Sequence, residues 1–335
     1  MYTNPYYNIE ENLLRLQKNE EKKQIRHQAS FIGLALIILL VVSFTWVFVY
    51  LLMAIRLGIS YNTAQEILQE PAVLHTVQIV LSCCIFILPF LIVVANSKRN
   101  SKEVLAFGKP DRDFFLPVIL MGIGFCAFAN IVTGIIGNIF SSVGIEYSAP
   151  EMETPEGPFG FVLVVLSSAV VPALVEEFAL RGAVLGALRR FGDGFAIAVS
   201  AILFGLLHGN LVQIPFAFVV GIALGYAVVK TGSIWTGAII HFINNFVAIL
   251  LDTFLSKTDS VYIENAVGTV YYMVCLLCFF IGLLLLKKKG GSAFKTEEPE
   301  MKLSNREKLG TFFSSPIIII YMVLVAIECL IYTVS

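Results

Sequence analysis

The apolar residues of this chain gather into long runs near 31–54, 74–96, 114–140, 160–190, 195–209, 211–229, 233–252, 267–286 and 316–334, parted by short polar stretches. About 20 apolar residues suffice for a helix to cross roughly 30 Å of hydrocarbon. In that medium a helix satisfies its own backbone donors and acceptors. The pattern therefore predicts an all-α fold: a polytopic integral membrane helical bundle of about eight or nine transmembrane helices.

The polar intervals divide the chain into a cytoplasmic polar N-terminal arm at 1–29, N-terminal transmembrane helices at 30–158, a helical core at 159–252, an additional transmembrane helix at 253–286, a cytoplasmic linker at 287–312 and a C-terminal transmembrane helix at 313–335. The arm carries both signs of charge in NEEKKQIRHQ, unlike a basic leader followed by a brief apolar core, so no cleavable signal peptide is expected. The linker is charged and glycine-containing and reads as solvated.

Composition agrees with lipid as the solvent: 57% of residues are hydrophobic and 14% charged, against about 25% charged in soluble domains. Net charge is -1, which offers nothing to nucleic acid, and no nucleic-acid motif is present. Basic residues recur at every second crossing: Arg15 to Arg26, then Lys98 to Arg112, Arg189 and Arg190, Lys230, and Lys287 to Lys289. The intervening segments are acidic or neutral, notably 146–156. Basic loops stay in the cytoplasm, so the N-terminus is expected there and, with an odd number of spans, the C-terminus outside, in a bacterial plasma membrane.

All six cysteines fall in apolar runs, where packing is the expected role. Small residues at four-residue spacing, Gly182/Gly186, Gly205/Gly209 and Gly221/Gly225, allow helices to approach closely. His75, near the start of a run, is expected at the interface, and Asn130, Asn138 and Glu328 in local helix contacts.

An ionisable group in hydrocarbon costs at least roughly 2.5–3.5 kcal/mol on insertion scales, so it calls for a partner or a cavity. That criterion selects neighbouring runs. VVPALVEEFALRG holds Glu176, Glu177 and Arg181, with Pro172 one turn earlier to weaken the helix. Glu177 and Arg181 have the favourable i,i+4 ion-pair order, leaving Glu176 about 100° away for other work. SAILFGLLHGN aligns Phe204 with His208, and GAIIHFINNF aligns His241 with Asn245, with Asn244 slightly displaced. Alone, the first stretch is equally explained as an ion-pair network that fixes packing. At about 1.5 Å per residue, Glu176 and His208 lie roughly 22 and 21 Å from the 191–194 turn and His241 roughly 16 Å from Lys230. Modest tilt brings all three to one level.

EEFALRG, FGLLHGN and HFINN, in that order on successive helices, resemble the CAAX-protease and bacteriocin-processing family of intramembrane endopeptidases over about 160–250. The resemblance makes 159–252 the catalytic core and implies hydrolysis of a peptide bond in a membrane-associated protein or peptide. It implies catalytic roles for Glu176, Glu177, His208, His241 and Asn245, and supporting roles for Arg181, Phe204 and Asn244. Glu176 and His208 would activate water, while His241 and Asn245 would stabilise the oxyanion. Alternatively Glu176, His208 and His241 would hold zinc with one position open for water, although HExxH is absent. The competing functions are a non-catalytic immunity or peptide-binding membrane protein on the same scaffold and, after it, a transporter, for which no inverted repeat is visible.

Overall fold

The computed structural model describes residues 5–142, 144, 154–290 and 296–334, and the described residues are helical with no strand. The acidic stretch 146–156 lies mostly outside them. In chain order the helices are α1 (Pro5–Arg56), α2 (Tyr61–Gln69), α3 (Pro71–Asn96), α4 (Ser101–Leu105), α5 (Arg112–Ser142), α6 (Gly157–Phe191), α7 (Asp193–Leu206), α8 (Gln213–Thr231), α9 (Ile234–Leu255), α10 (Val261–Lys288), α11 (Asn305–Phe313) and α12 (Pro316–Val334). Seven are long and apolar enough to cross a membrane, and the pair α11 and α12, bent by 71°, raises the number to eight. The run at 195–209 yields α7, whose 14 residues reach about 21 Å at 1.5 Å each, short of a full crossing.

Two polar segments carry order that their composition does not announce. The arm at 1–29 is helical from Pro5 and continuous with the first span. Its buried positions Ile25, Gln28, Ala29, Ile32, Leu36 and Leu39 form one stripe that runs from the arm into the lipid-crossing part. Glu21 accepts hydrogen bonds from the backbone N–H of Lys302 and Leu303, and Lys18 pairs with Glu307 at 2.9 Å.

The linker at 287–312 is likewise more than a solvated tether. Its described second half straps the turn between α6 and α7. The Asp193 N–H donates to Glu297 O, Asp193 Oδ2 accepts from the Glu297 N–H, and the Gly194 N–H donates to Glu298 Oε1. Lys308, a buried lysine, donates to the Phe191 carbonyl at 2.6 Å. Charged residues fold back here because α7 begins with free N–H groups that an acidic side chain can satisfy.

The charged loops that alternate along the chain meet on one face. Arg190 reaches Gln24 Oε1 on α1 and the Ser97 carbonyl. Arg99 donates to Gly186 O, the Asp111 N–H donates to Thr231 O, and Lys289 pairs with Asp113. Both ends of the α7–α8 hairpin therefore lie on this face, with the turn after Leu206 plunged into the bundle.

The interior is built from α6, α7, α8 and α9 around Ala179, Leu180, Val184, Val199, Leu203 and Leu224. Small residues permit the close approach. A Cβ at Gly221 would stand 2.9 Å from the Ala201 Cα, and one at Gly186 would strike the Val104 carbonyl.

Candidate active site

Pro172 has no N–H to offer the carbonyl of Ser168 four residues earlier. Helix α6 does not break there. It passes through a π-helical stretch at Leu166–Val170, returns to α-helix at Val171–Glu177 and enters a second π-helical stretch at Phe178–Leu185. Such insertions turn the following side chains and are common at functional sites. The adjacent glutamates sit between the two. The Ser200 hydroxyl on α7 donates to Leu180 O at 2.9 Å inside the second stretch.

Glu177 is fully buried and serves two partners through one oxygen. Its Oε1 stands 2.9 Å from Arg181 Nη1 and 3.2 Å from His241 Nδ1. The arginine contact is a close charge pair whose N–H does not point along the oxygen direction, so Nη1 is paired by charge without a well-aligned hydrogen bond. Arg181, also fully buried, donates through Nη2 to Gly221 O at 3.3 Å and lays its guanidinium 4.2 Å from the centre of the Phe204 ring. Glu177 Oε2 has no hydrogen-bond partner among the described residues. A Cβ at Gly237 would lie 2.6 Å from it, so α9 needs glycine where it passes this carboxylate.

Glu176 is the more open of the pair, with 19% of its side chain exposed. Its Oε2 lies 3.9 Å from His241 Nε2, beyond hydrogen-bond reach. His241 thus stands between two carboxylates, held by one and facing the other.

His208 sits in the turn after α7. Its Nδ1 lies 2.9 Å from the Phe204 carbonyl. A carbonyl only accepts, so the hydrogen is on Nδ1 and the Nε2 lone pair is free to accept from water. The Phe204 ring contacts both imidazoles edge-on, with centroids 5.1 Å from His208 and 5.7 Å from His241. It walls the site and spaces the two histidines. Asn210 Oδ1 accepts from the N–H groups of Val212 and Gln213, which starts α8 and fixes the turn that carries His208.

Asn245 donates one amide N–H to the Ser168 carbonyl at 3.0 Å, the oxygen to which Pro172, four residues on, cannot donate. Its Oδ1 accepts from Asn244 Nδ2. The second Asn245 N–H makes no hydrogen bond among the described residues.

The structure therefore gathers Glu176, Glu177, Arg181, Phe204, His208 and His241 around one point, with Asn245 and Asn244 beside the π-helical shoulder. Two serines enter that were not singled out from sequence, together with His75. His75 is buried within the protein, and its Nδ1 lies 2.7 Å from Ser167 Oγ. Ser167 and Ser168 complete the group, their hydroxyls 3.3 Å apart. The cost of burying an ionisable side chain was the available signal for His75. Glu328 of α12 comes up against Gly209, where a Cβ would lie 2.5 Å from its carboxyl carbon.

No group of three His, Cys, Asp or Glu side chains is arranged to hold a metal ion among the described residues. Beside the site, a cavity of about 560 Å³ between α5, α9 and α10 is lined by apolar side chains together with Asn244 and Tyr271.

This helical core is similar to that of a known class of membrane endopeptidases. Residues 158–247, which include every candidate residue predicted from sequence, match the family model "Type II CAAX prenyl endopeptidase Rce1-like". The chain is also similar to the Bacillus subtilis (strain 168) protein named "Putative membrane peptidase YdiL", 26% identical over 169 residues that cover 49% of this chain and 68% of that protein. No solved structure matches. Both similarities agree with the family resemblance expected from the three motifs and support a membrane-protease character in general terms.

Proposed function

We propose that the protein is an intramembrane endopeptidase that hydrolyses a peptide bond in a membrane-associated protein or peptide. The observation that carries this reading is the pairing of an accessible carboxylate, Glu176, with a buried one, Glu177, on opposite sides of His241. Glu177 is occupied by Arg181 and His241, so it holds the imidazole. Glu176 keeps its oxygens for water.

In this mechanism Glu176 takes a proton from a water that donates its other hydrogen to His208 Nε2. The resulting hydroxide attacks the scissile carbonyl. The free Asn245 N–H supports the oxyanion, and His241 joins it through Nε2–H when its ring is protonated at both nitrogens, because Nδ1 faces Glu177. Protonated Glu176 then returns its proton to the leaving amine. The apolar wall of Phe204 and surrounding helices strengthens each of these interactions by excluding bulk water.

Zinc on Glu176, His208 and His241 is the alternative that the arrangement of donors does not favour. The proposed orientation places the face shared by Arg99, Arg190 and Lys289 in the cytoplasm of a bacterial cell, with the N-terminus beside it. The C-terminus is proposed to lie outside.

The test is turnover by purified protein in proteoliposomes against quenched-fluorescent peptides with an apolar anchor, a farnesylated CAAX peptide among them. Glu176→Gln and His208→Ala are expected to abolish cleavage while inserting normally, and a chelator to leave wild-type turnover unchanged. Full turnover in both variants overturns the mechanism. Loss on chelation that zinc restores replaces it with the metal route. Tight binding of an uncleaved peptide would instead favour a non-catalytic protein on this scaffold.

A further inference from the structure

We infer that His75 on α3 is a positioning residue for Asn245, acting through Ser167 and Ser168 of the π-helical shoulder. The inference rests on the endopeptidase reading for its consequence, and on three hydrogen bonds for its geometry.

The Ser167 hydroxyl lies within hydrogen-bond distance of the Val164 carbonyl at 3.1 Å, of Ser168 Oγ at 3.3 Å and of His75 Nδ1 at 2.7 Å. The short bond to His75 ties the imidazole to the hydroxyl whichever of the two atoms carries the hydrogen. The next residue, Ser168, presents the backbone oxygen that accepts from Asn245 Nδ2. A buried ring on α3 is thus tied to the serine pair of α6, and that pair to the asparagine of α9.

The shoulder needs such a tie. A π-helical stretch followed by proline has lost part of its regular hydrogen bonding. Ser168 O could swing if nothing clamped its neighbour. His75 supplies the clamp from outside the three motif-bearing helices, and Asn245 reads its position. Without it, the remaining Asn245 N–H no longer points where an oxyanion would form.

Misplacement by about 1 Å can cost on the order of 100-fold in rate. His75→Phe, which keeps a ring and removes the hydrogen-bonding nitrogen, is expected to lower kcat by roughly tenfold to 100-fold with KM changed by less than about twofold, as an oxyanion contact would. His75→Asn retains an amide that can donate or accept near the Nδ1 position and is expected to regain most of the loss. Ser167→Ala is expected to behave as His75→Phe. The substrate is the anchored peptide that the wild type cleaves fastest, and thermal unfolding of each variant is measured beside it.

Undiminished kcat in His75→Phe overturns the inference. So does a His75→Asn variant no better than His75→Phe at equal thermal stability. Hydrogen exchange of the 164–172 segment gives a readout independent of turnover. It should rise in His75→Phe and return in His75→Asn. Should the wild type cleave no peptide, the endopeptidase reading falls, while the exchange result still decides whether His75 clamps the shoulder.

Discussion

Glu177 and His241 meet at 3.2 Å, Oε1 to Nδ1, deep in the bundle, while the neighbouring Glu176 faces the opposite nitrogen of the same ring at 3.9 Å. Two adjacent residues of one type thus have different surroundings, because helical geometry sends one into the protein and leaves the other partly exposed.

That division predicts different losses. Glu176→Gln should abolish turnover and leave thermal stability nearly unchanged. Glu177→Gln leaves Arg181 buried without its counter-charge and should cost about 3–5 kcal/mol of stability as well as activity. Thermal unfolding of the two purified variants in one detergent separates them.

Arg181→Lys should fail as a conservative change. An ammonium cannot stack on Phe204 and reach Gly221 O and Glu177 together as the guanidinium does. A loss of roughly 0.5–2 kcal/mol is expected from the ring contact alone. Urea or thermal unfolding beside wild type checks it.

Pro172→Ala would return an N–H to α6 that competes with Asn245 for the Ser168 carbonyl. Stability should hold or rise, since a proline is removed from a helix interior. Turnover should fall on the order of tenfold, because Asn245 loses its anchor. The opposite signs of the two effects are the measurement.

Of the glycine pair Gly182/Gly186, only the second is backbone-limited. A Cβ at Gly186 meets the Val104 carbonyl, and one at Gly182 meets the flexible end of Leu105 at 3.2 Å. Gly186→Ala should cost about 1–3 kcal/mol or more by overpacking, and Gly182→Ala much less. Comparative unfolding temperatures decide this.

Glu298→Ala removes the side chain that caps the first turn of α7 at Gly194. A loss of about 0.5–2 kcal/mol is expected, as for other N-terminal caps. Increased hydrogen exchange at 193–197 would locate it.

Much of the site was legible before any coordinates. Glu176, Glu177, Arg181, His208, His241 and Asn245 stand out because each is polar in an apolar run, and the cost of burial marks them one at a time. The pairing of Glu177 with Arg181 follows from four-residue spacing, which is a local property. His75 stood out only as a polar residue near the edge of its run, because its partner Ser167 lies 92 positions away. The strap at 297–308 escaped because its sequence is polar, and polar composition does not reveal which charges find partners.

By itself, the sequence determined a lipid-crossing helical bundle and three motif-bearing helices, since hydropathy and helical periodicity are carried by near neighbours in the chain. Only the tertiary structure decided that Glu177 is the buried partner of His241, that Ser168 O is given to Asn245 and that α1 and the C-terminal strap grip the charged face. Those contacts join residues up to 289 positions apart, as in Lys18 with Glu307. They depend on how helices cross and on where a proline and two π-helical stretches turn α6, and neither quantity is fixed by local pattern.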